Sequence, residues 1–554
     1  MMKNIVKIIV LLPFLVLVSA GCKKDFLVEQ PLAVIAPDNL YVNKAGFESG
    51  LYGLYNLVRR ERGGIDGGFN SNSTNELYLT AAFIGVDNAY SPFPAGGNAP
   101  ERMFNSFGVL MNSTQGYLSN LWAWLYQTVN AANTIIGRAE NPAIKWTAAE
   151  KNQIVGEARL VRAWAYRHLT FLWGDVPLNL TESKGSTIRT DWDRNSRAEV
   201  RKAMEEDLLF AEANMADPAI NAARFPKAVA THYLAELYLT VGDNAKAKAK
   251  ALSLTTSPLY KIVTARYGVR RTLPGTAFTD MFLDGNSNRS EGNTEALWVM
   301  QNEYLSAGAE NNIMRRWWVN RYERITVGGR TPITFSIDNG GRGIGRVGVT
   351  KYALSIYDPK DDRGSYHAWR LFYQMNNAAS LPTGAKLGDT VKLTPLAAAE
   401  PVTNASNAQS WPSTRKWDWA PSIAADLQQS SNYNDMIYLR LAETYLILAE
   451  AQFKLGETAN AATTINVLRS RANAPLATAA QINLNLILDE RSRELVTEEH
   501  RRYTLLRTNT WFDRTKLYNT NVSTLITPRD TILPIPQSVI DANLTKPMAQ
   551  NPGY

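Results

Sequence analysis

Two stretches far apart in the chain carry the same frame. In "LAELYLTVGDNAKAKA", Ala235, Gly242 and Ala247 are spaced seven and five residues apart, and in "LAEAQFKLGETANAATT", Ala449, Gly456 and Ala461 repeat that spacing. Small residue, turn glycine, small residue is the frame of a tetratricopeptide-type helix pair. The small side chains let two antiparallel helices approach closely. Such pairs bury their apolar faces only by stacking on neighbours, so the frame commits much of the chain to layered helices. The surrounding sequence agrees. Helical periodicity predicts helices over Leu118 to Glu140, Thr147 to Leu178, about 195–216 and 226–241, and across a last block at about 433–508. Thr147 and Glu150 form a capping-box pattern, and Gly174 and Pro177 are stop signals.

Other parts of the chain do not read as helix. Residues 63–114 are polar and glycine-rich, and 262–432 are rich in Gly, Asn, Thr and Pro, with short β-like runs such as "EALWVMQ" from Glu295. A loop as long as 63–114 in a folded protein is usually functional or disordered. The expected fold class is therefore mainly α: a tetratricopeptide-like helical-pair scaffold with an irregular loop-rich region, to which a family resemblance given below assigns ligand binding. The expected division is 1–21 signal peptide, 22–44 anchor and tether, 45–261 N-terminal helical region with a binding loop at about 63–114, 262–432 loop-rich ligand-binding region, and 433–554 C-terminal helical repeats with a Pro-rich tail.

The start of the chain accounts for its one cysteine. Lys3 and Lys7 precede an unbroken apolar run over residues 8–18, then Ser19, Ala20, Gly21 and Cys22. This is the order of a secretory signal, and the run is shorter than the roughly 20 residues that span a bilayer. The junction resembles a bacterial lipobox, although Ser19 stands where leucine is usual. The resemblance makes Cys22 the lipidated first residue of the mature chain, held to an outer membrane by its acyl chains. No thiol then remains for a disulfide, so stability comes from packing. Losing Lys3 and Lys7 lowers the net charge from +8 to +6, and no compact Lys/Arg cluster interleaved with aromatics indicates nucleic acid.

Catalytic patterns are missing. The four histidines, His168, His232, His367 and His500, show no zinc spacing, and no Gly-x-Ser-x-Gly or His-Glu-x-x-His motif occurs. "GIGRVG" (Gly343 to Gly348) matches a dinucleotide pattern but lacks the flanking strand and helix. Glu490, Glu494 and Glu498 could form acid pairs on a helix, but the interleaved arginines favour i,i+4 ion pairing. No enzyme, cofactor or metal is expected.

Seven segments, in order along the chain, resemble the SusD/RagB outer-membrane lipoproteins of Bacteroidota. They are "CKKDFLVEQP", "LWAWLYQTVNAANTII" with Tyr126, Asn130, Ala132 and Asn133, "GEARLVRAWAYRHLTFLWGDVPL", "SIYDPKDDR", "MIYLRLAETYLILAEAQ", "ERSRELVTEEHRRYTLLR" and the terminal "PIPQSVIDAN" to "QNPGY". The resemblance implies a SusD-like helical scaffold whose loops bind a nutrient, most often a glycan. It also implies a partner, a SusC-type TonB-dependent transporter that the lipoprotein covers and supplies. An oligosaccharide is the leading ligand, with a peptide or a purely structural scaffold as alternatives.

Sugars present apolar C–H faces ringed by hydroxyls, which aromatic rings and Asn, Asp, Gln or Arg complement. Trp122, Trp124, Trp146, Trp164, Trp173 and Trp298 lie on predicted helices or apolar runs and read as packing. The loop clusters are the candidates: Asp87, Asn88, Tyr90 and Phe93 in "GVDNAYSPFP"; Arg316, Trp317, Trp318, Asn320, Arg321 and Tyr322 in "MRRWWVNRYER"; and Trp411, Trp417 and Trp419 in "SWPSTRKWDWAP". The first two fall where the resembling family builds its binding arc. Tyr90, Trp317 and Trp318 are expected to form one shallow aromatic platform.

Overall fold

The computed structural model describes residues 36–63, 80–92, 99–303, 306, 313–393, 409–418 and 433–554. Cys22, the signal segment, Phe93 and Trp419 lie outside the described residues.

The predicted helices form, trimmed by their punctuation. They are α1 (Lys44–Gly63), α2 (Gly116–Arg138), α3 (Ala148–Trp173), α4 (Arg197–Asn214), α5 (Lys227–Val241), α6 (Asn244–Thr255), α7 (Leu441–Lys454), α8 (Thr458–Arg471), α9 (Leu484–Leu495) and α10 (Arg501–Arg507). The capping box holds at the start of α3: Glu150 N donates to Thr147 Oγ1 at 3.2 Å and Thr147 N donates to Glu150 Oε2 at 2.8 Å. Two backbone donors that the helix leaves unpaired are thereby satisfied. Ser196 and Glu199 do the same for α4.

Neighbours in sequence pack as neighbours in space: α2 on α3, α3 on α4, α4 on α5, α5 on α6 and α7 on α8. The row continues from α6 directly to α7, across the long intervening segment. From Gln153 to Trp173 nearly every residue of α3 is buried, because helices cover it on several sides. The repeated frame does what its spacing implies. Ala235, Ala247, Ala449 and Ala461 are fully buried where α5 meets α6 and α7 meets α8. Gly242 (φ 85°) and Gly456 (φ 79°) turn the chain between each pair in a conformation that costs other residues energy. Ala449→Trp is accordingly expected to lower stability by about 1–3 kcal/mol, since a ring is forced between two touching helices. An unchanged melting temperature would show that α7 and α8 do not meet at this alanine.

The run from Glu295 is indeed a strand. β1 (Ala296–Met300) pairs antiparallel with β2 (Met436–Arg440), with Ala296 opposite Arg440 and Met300 opposite Met436. This ribbon brings together the two ends of the intervening segment 301–435. Trp298 packs as expected, 4.0 Å from Tyr438 and 4.6 Å from Phe225 between ring centroids.

The 63–114 stretch differs from its expected form as an open loop. It contains the helices Thr80–Phe83 and Ala99–Ser106, and residues 80–91 are buried throughout. A buried loop is tolerable only if its backbone groups find partners. Here the C-terminal elements supply them. Trp511 Nε1 donates to Gly85 O at 3.0 Å, and Asn519 Nδ2 donates to Val86 O and Ala89 O at 2.8 and 3.1 Å.

Candidate functional site

The aromatic platform expected from sequence is inside the protein. Tyr90 and Trp317 are 0% exposed and Trp318 is 3% exposed. Tyr90 lies in a two-residue strand opposite Gly348, and burial pushes its phenol pKa up. Trp317 and Trp318 end the short helix Met314–Trp318, which neighbouring backbone clamps: Val347 N donates to Trp317 O at 2.9 Å and Gly345 N to Val319 O at 2.8 Å. Trp318 meets Phe83 edge-on at 5.8 Å.

The polar members of the set are equally structural. Asp87 accepts two hydrogen bonds from Arg501, at 2.8 and 2.7 Å, and one from Arg514 Nε at 2.9 Å. Burial alone would raise its pKa, but the two guanidiniums outweigh burial and hold the carboxyl below its usual value. Asn88 Nδ2 donates to Ser492 Oγ at 3.1 Å, and Asn320 Nδ2 to Trp411 O. Tyr322 stacks on Tyr373 at 4.5 Å and donates to Gly341 O at 2.7 Å. Arg316 is buried, while Arg321 is partly exposed beside Glu323 at 3.9 Å. Trp411 and Trp417 are also buried, their indoles donating to Val349 O and Thr497 Oγ1. Residues flanked by polar sequence were expected at the surface. Tertiary partners far along the chain draw them inward instead.

The acids of α9 and the turn after it do not follow the expected i,i+4 pairing; along the helix Glu490 meets Arg493 at i,i+3, 2.9 Å away. The acids are buried and met by cations from elsewhere as well. Arg363 Nη1 lies 2.8 Å from Glu490 and 2.9 Å from Glu494. Arg440 reaches Glu494 at 2.6 Å, Glu295 at 2.7 Å and Glu498 at 2.6 Å. Arg471 also binds Glu494. A general acid for glycoside hydrolysis needs a raised pKa. Burial works in that direction at Glu490, yet Arg363, Arg493 and Arg469 prevail and bring it down to about 2.

Glu61, His168 and His500 converge, each buried, with ligand-type atoms within 4.8 Å of one another. Arg167 Nη1 lies 3.0 Å from His500 Nδ1, and arginine can only donate, so Nδ1 accepts and the ring proton sits on Nε2 facing Glu61. A metal there would require the Nε2 lone pair and hence a proton on Nδ1, against the Arg167 donor. These residues fit a hydrogen-bonded clasp and not a metal centre.

The buried histidines make stability pH-dependent. Burial pulls His232 down to about 3 and lowers His168 and His500 as well. The unfolded chain takes up these protons near pH 6.5 and the native chain does not. Stability is therefore full above about pH 6.5 and falls by about 1.4 kcal/mol per pH unit for each such histidine as the pH drops below it. Urea unfolding from pH 7 to 5 should show this slope, reduced by about that amount in His232→Gln; an equal slope in both proteins would remove His232 from the account.

An open cleft of about 270 Å³ lies in the loop-rich region, between segments 266–283, 337–338, 367–370 and 415–418. Its wall is held by charge pairs. Arg266 Nε donates to Asp280 at 2.6 Å, and Arg370 and Arg415 share Asp418 at 2.5 and 2.9 Å. The two-residue strand Trp369–Arg370 pairs with Ser413–Thr414 and fixes the register of these arginines. Lys416 at the floor donates to Glu494 O at 2.9 Å, Val496 O at 3.1 Å and Glu498 Oε1 at 2.5 Å. Burial pulls its pKa down to about 8 despite the carboxylate. Beside the cleft stands Tyr366, 47% exposed; among the described aromatic side chains only Tyr52 shares such exposure. Its ring lies against His367, a wall residue, tilted 37° with centroids 3.9 Å apart, and its carbonyl accepts from Arg415 Nη1 at 3.2 Å. A flat exposed ring next to fixed arginines and the exposed Asp338 suits a polyhydroxylated ligand. Arg415 stands between the aromatic candidates Trp411 and Trp417 and carries no sequence signal of its own. Tyr366 was legible only as an aromatic within a polar run.

A profile of the SusD family matches residues 278–554, and one described as starch-binding associating with outer membrane matches residues 101–239. The SusD-like protein P2 of Formosa agariphila is 25% identical over 560 residues, covering 98% of each chain. Among solved structures, a SusD homolog from Bacteroides thetaiotaomicron superposes with a TM-score of 0.70 at 19% identity, over 94% of this chain and 98% of that one. A laminarin binding SusD-like protein superposes with a TM-score of 0.67 at 19% identity, over 92% of this chain and all of that one. At these identities the structural likeness speaks for the fold.

Proposed function

The chain belongs to the SusD family, and from that premise we propose that it is a cell-surface lipoprotein that captures an oligosaccharide and passes it to a SusC-type TonB-dependent transporter. Membership makes it a non-catalytic binding protein. In this reading Cys22 carries the lipid anchor that holds it to the outer membrane, facing outward. The helical regions 45–261 and 433–554 are scaffold, and 262–432 carries ligand contacts. The sequence-selected residues Asp87, Asn88, Tyr90, Arg316, Trp317, Trp318, Asn320 and Tyr322 serve as the foundation under the binding surface and do not touch sugar themselves. The starch-binding description and the laminarin binding neighbour support a glycan over a peptide.

The observation that carries this reading is the Tyr366 ring beside a polar cleft, the most exposed of the described loop aromatics. Tyr366 supplies the apolar face and Arg415 and Asp338 the hydroxyl partners. The test is calorimetry against a panel of oligosaccharides and peptides, with Tyr366→Ala alongside. A cognate oligosaccharide should bind, and the variant should lose about tenfold in affinity, or about 1.4 kcal/mol, at an unchanged melting temperature. Binding of peptides only, or full glycan affinity in the variant, would overturn the ligand class or the site respectively.

A further inference from the structure

A second concavity, about 430 Å³, opens on the helical side of the molecule and shares no lining residue with the cleft. The end of α3, the start of α4, the end of α5, the segment 505–513 and the turn Pro528–Thr531 enclose it. Its size lies within the range of small-molecule sites.

Two arginines from α4 line it, Arg197 and Arg201. Four residues apart on a helix, they project from the same face. Neither guanidinium has a hydrogen bond or an ion pair with any described residue. The third arginine on the wall, Arg507, shows the contrast, with both Nη atoms on the Glu450 carboxylate. Of the acids nearby, Asp175 offsets part of the charge on Arg201 without pairing with it. Asp513 on the wall forms no ion pair with either arginine, and Asp175 is engaged by the Arg197 backbone N–H at 2.9 Å. Arg201 is half-buried over the Phe171 ring at 5.9 Å. Burial first, and then the charge of Arg197, pull its pKa down to about 10. Like charges at this spacing destabilise a helix when nothing neutralises them. A fold that keeps both in a concave, partly desolvated site leaves that repulsion to be relieved by something it binds. Around them stand Thr170, Asn509 and Thr531 as polar groups and Phe171 and Phe512 as apolar faces.

We propose that this pocket binds an oxyanion, a carboxylate, sulfate or phosphate, borne on a molecule about the size of a monosaccharide or a lipid headgroup. Arg197 and Arg201 grip the charged group and the aromatic side chains cover the body that carries it. The site is independent of the glycan cleft, and its failure would leave the function proposed above untouched.

Sodium sulfate, inorganic phosphate and glucuronate are titrated into the purified protein at constant ionic strength, followed by calorimetry and by melting temperature. At least one should bind saturably with a dissociation constant below 1 mM. Arg197→Met with Arg201→Met should weaken it at least tenfold, while the melting temperature without anion stays equal or rises, because a repulsion has been removed. If the double variant does not fold, Arg201→Lys, which keeps the charge but loses the planar fork, should weaken binding at least threefold. Preference for glucuronate assigns an acidic sugar. Arginine-dependent retention on vesicles containing phosphatidylglycerol assigns a lipid headgroup. The proposal is overturned if none of the three anions binds below 1 mM, or if the arginine variants bind as tightly as the parent protein.

Discussion

Glu494→Gln should destabilise the protein by about 3–5 kcal/mol. The substitution keeps the shape of the side chain and removes only its charge. That charge is shared by Arg363 at 2.9 Å, Arg440 at 2.6 Å and Arg471, all of them buried. Burial opposes the ionised form of Glu494, yet these three guanidiniums hold its pKa well below the usual carboxylate value. Breaking a buried pair leaves a desolvated charge uncompensated, which costs far more than the pair contributes when intact. Here one neutralisation exposes three cations to each other. Chemical denaturation of the variant measures the loss. A change under 1 kcal/mol would mean that water or neighbouring acids such as Glu295 and Glu490 take over its role.

Trp317→Ala should cost about 3–5 kcal/mol of stability, the range for emptying a large buried site. The ring is fully buried in the main apolar cluster, and its backbone carbonyl is held by Val347. The same substitution should leave glycan affinity in the folded fraction unchanged, since the indole is sealed from any ligand. Paired unfolding and calorimetry separate the outcomes. Lost affinity at an unchanged melting temperature would bring Trp317 back to the binding surface.

The scaffold was legible because helices announce themselves locally. The Ala–Gly–Ala frame, the Thr147–Glu150 cap and the Gly174 stop all act within a few residues, and the structure follows each. The binding surface was not legible, for a reason visible at Asp87. Nothing near it in sequence says that Arg501 and Arg514 lie against it, yet those partners decide that it is buried in an ion-pair network. The same holds for "WW" at 317–318, where polar neighbours suggested exposure and the packing of Phe83 and Val347 decided burial. Tyr366 was overlooked for the converse reason. Its backbone is held by Arg415, which donates to Tyr366 O and Ala368 O, a relation between distant segments that local pattern does not carry.

The ribbon of β1 and β2 has an evolutionary consequence. Because it holds the two ends of the intervening segment side by side, that segment can be lengthened at little entropic cost to the helices, since closure entropy grows only slowly with loop length. The parts of it that do not pack on the helices could therefore change in length without disturbing the scaffold. That freedom has a condition, however. Arg363 and Lys416 belong to the segment, and they reach out of it to neutralise Glu490, Glu494 and Glu498 in the helical part. A replacement that lacks two cations at those places would strand buried carboxylates, so these two positions are tied to the scaffold, as are the core residue Trp317 and Arg346, which pairs with Glu101 at 2.8 Å.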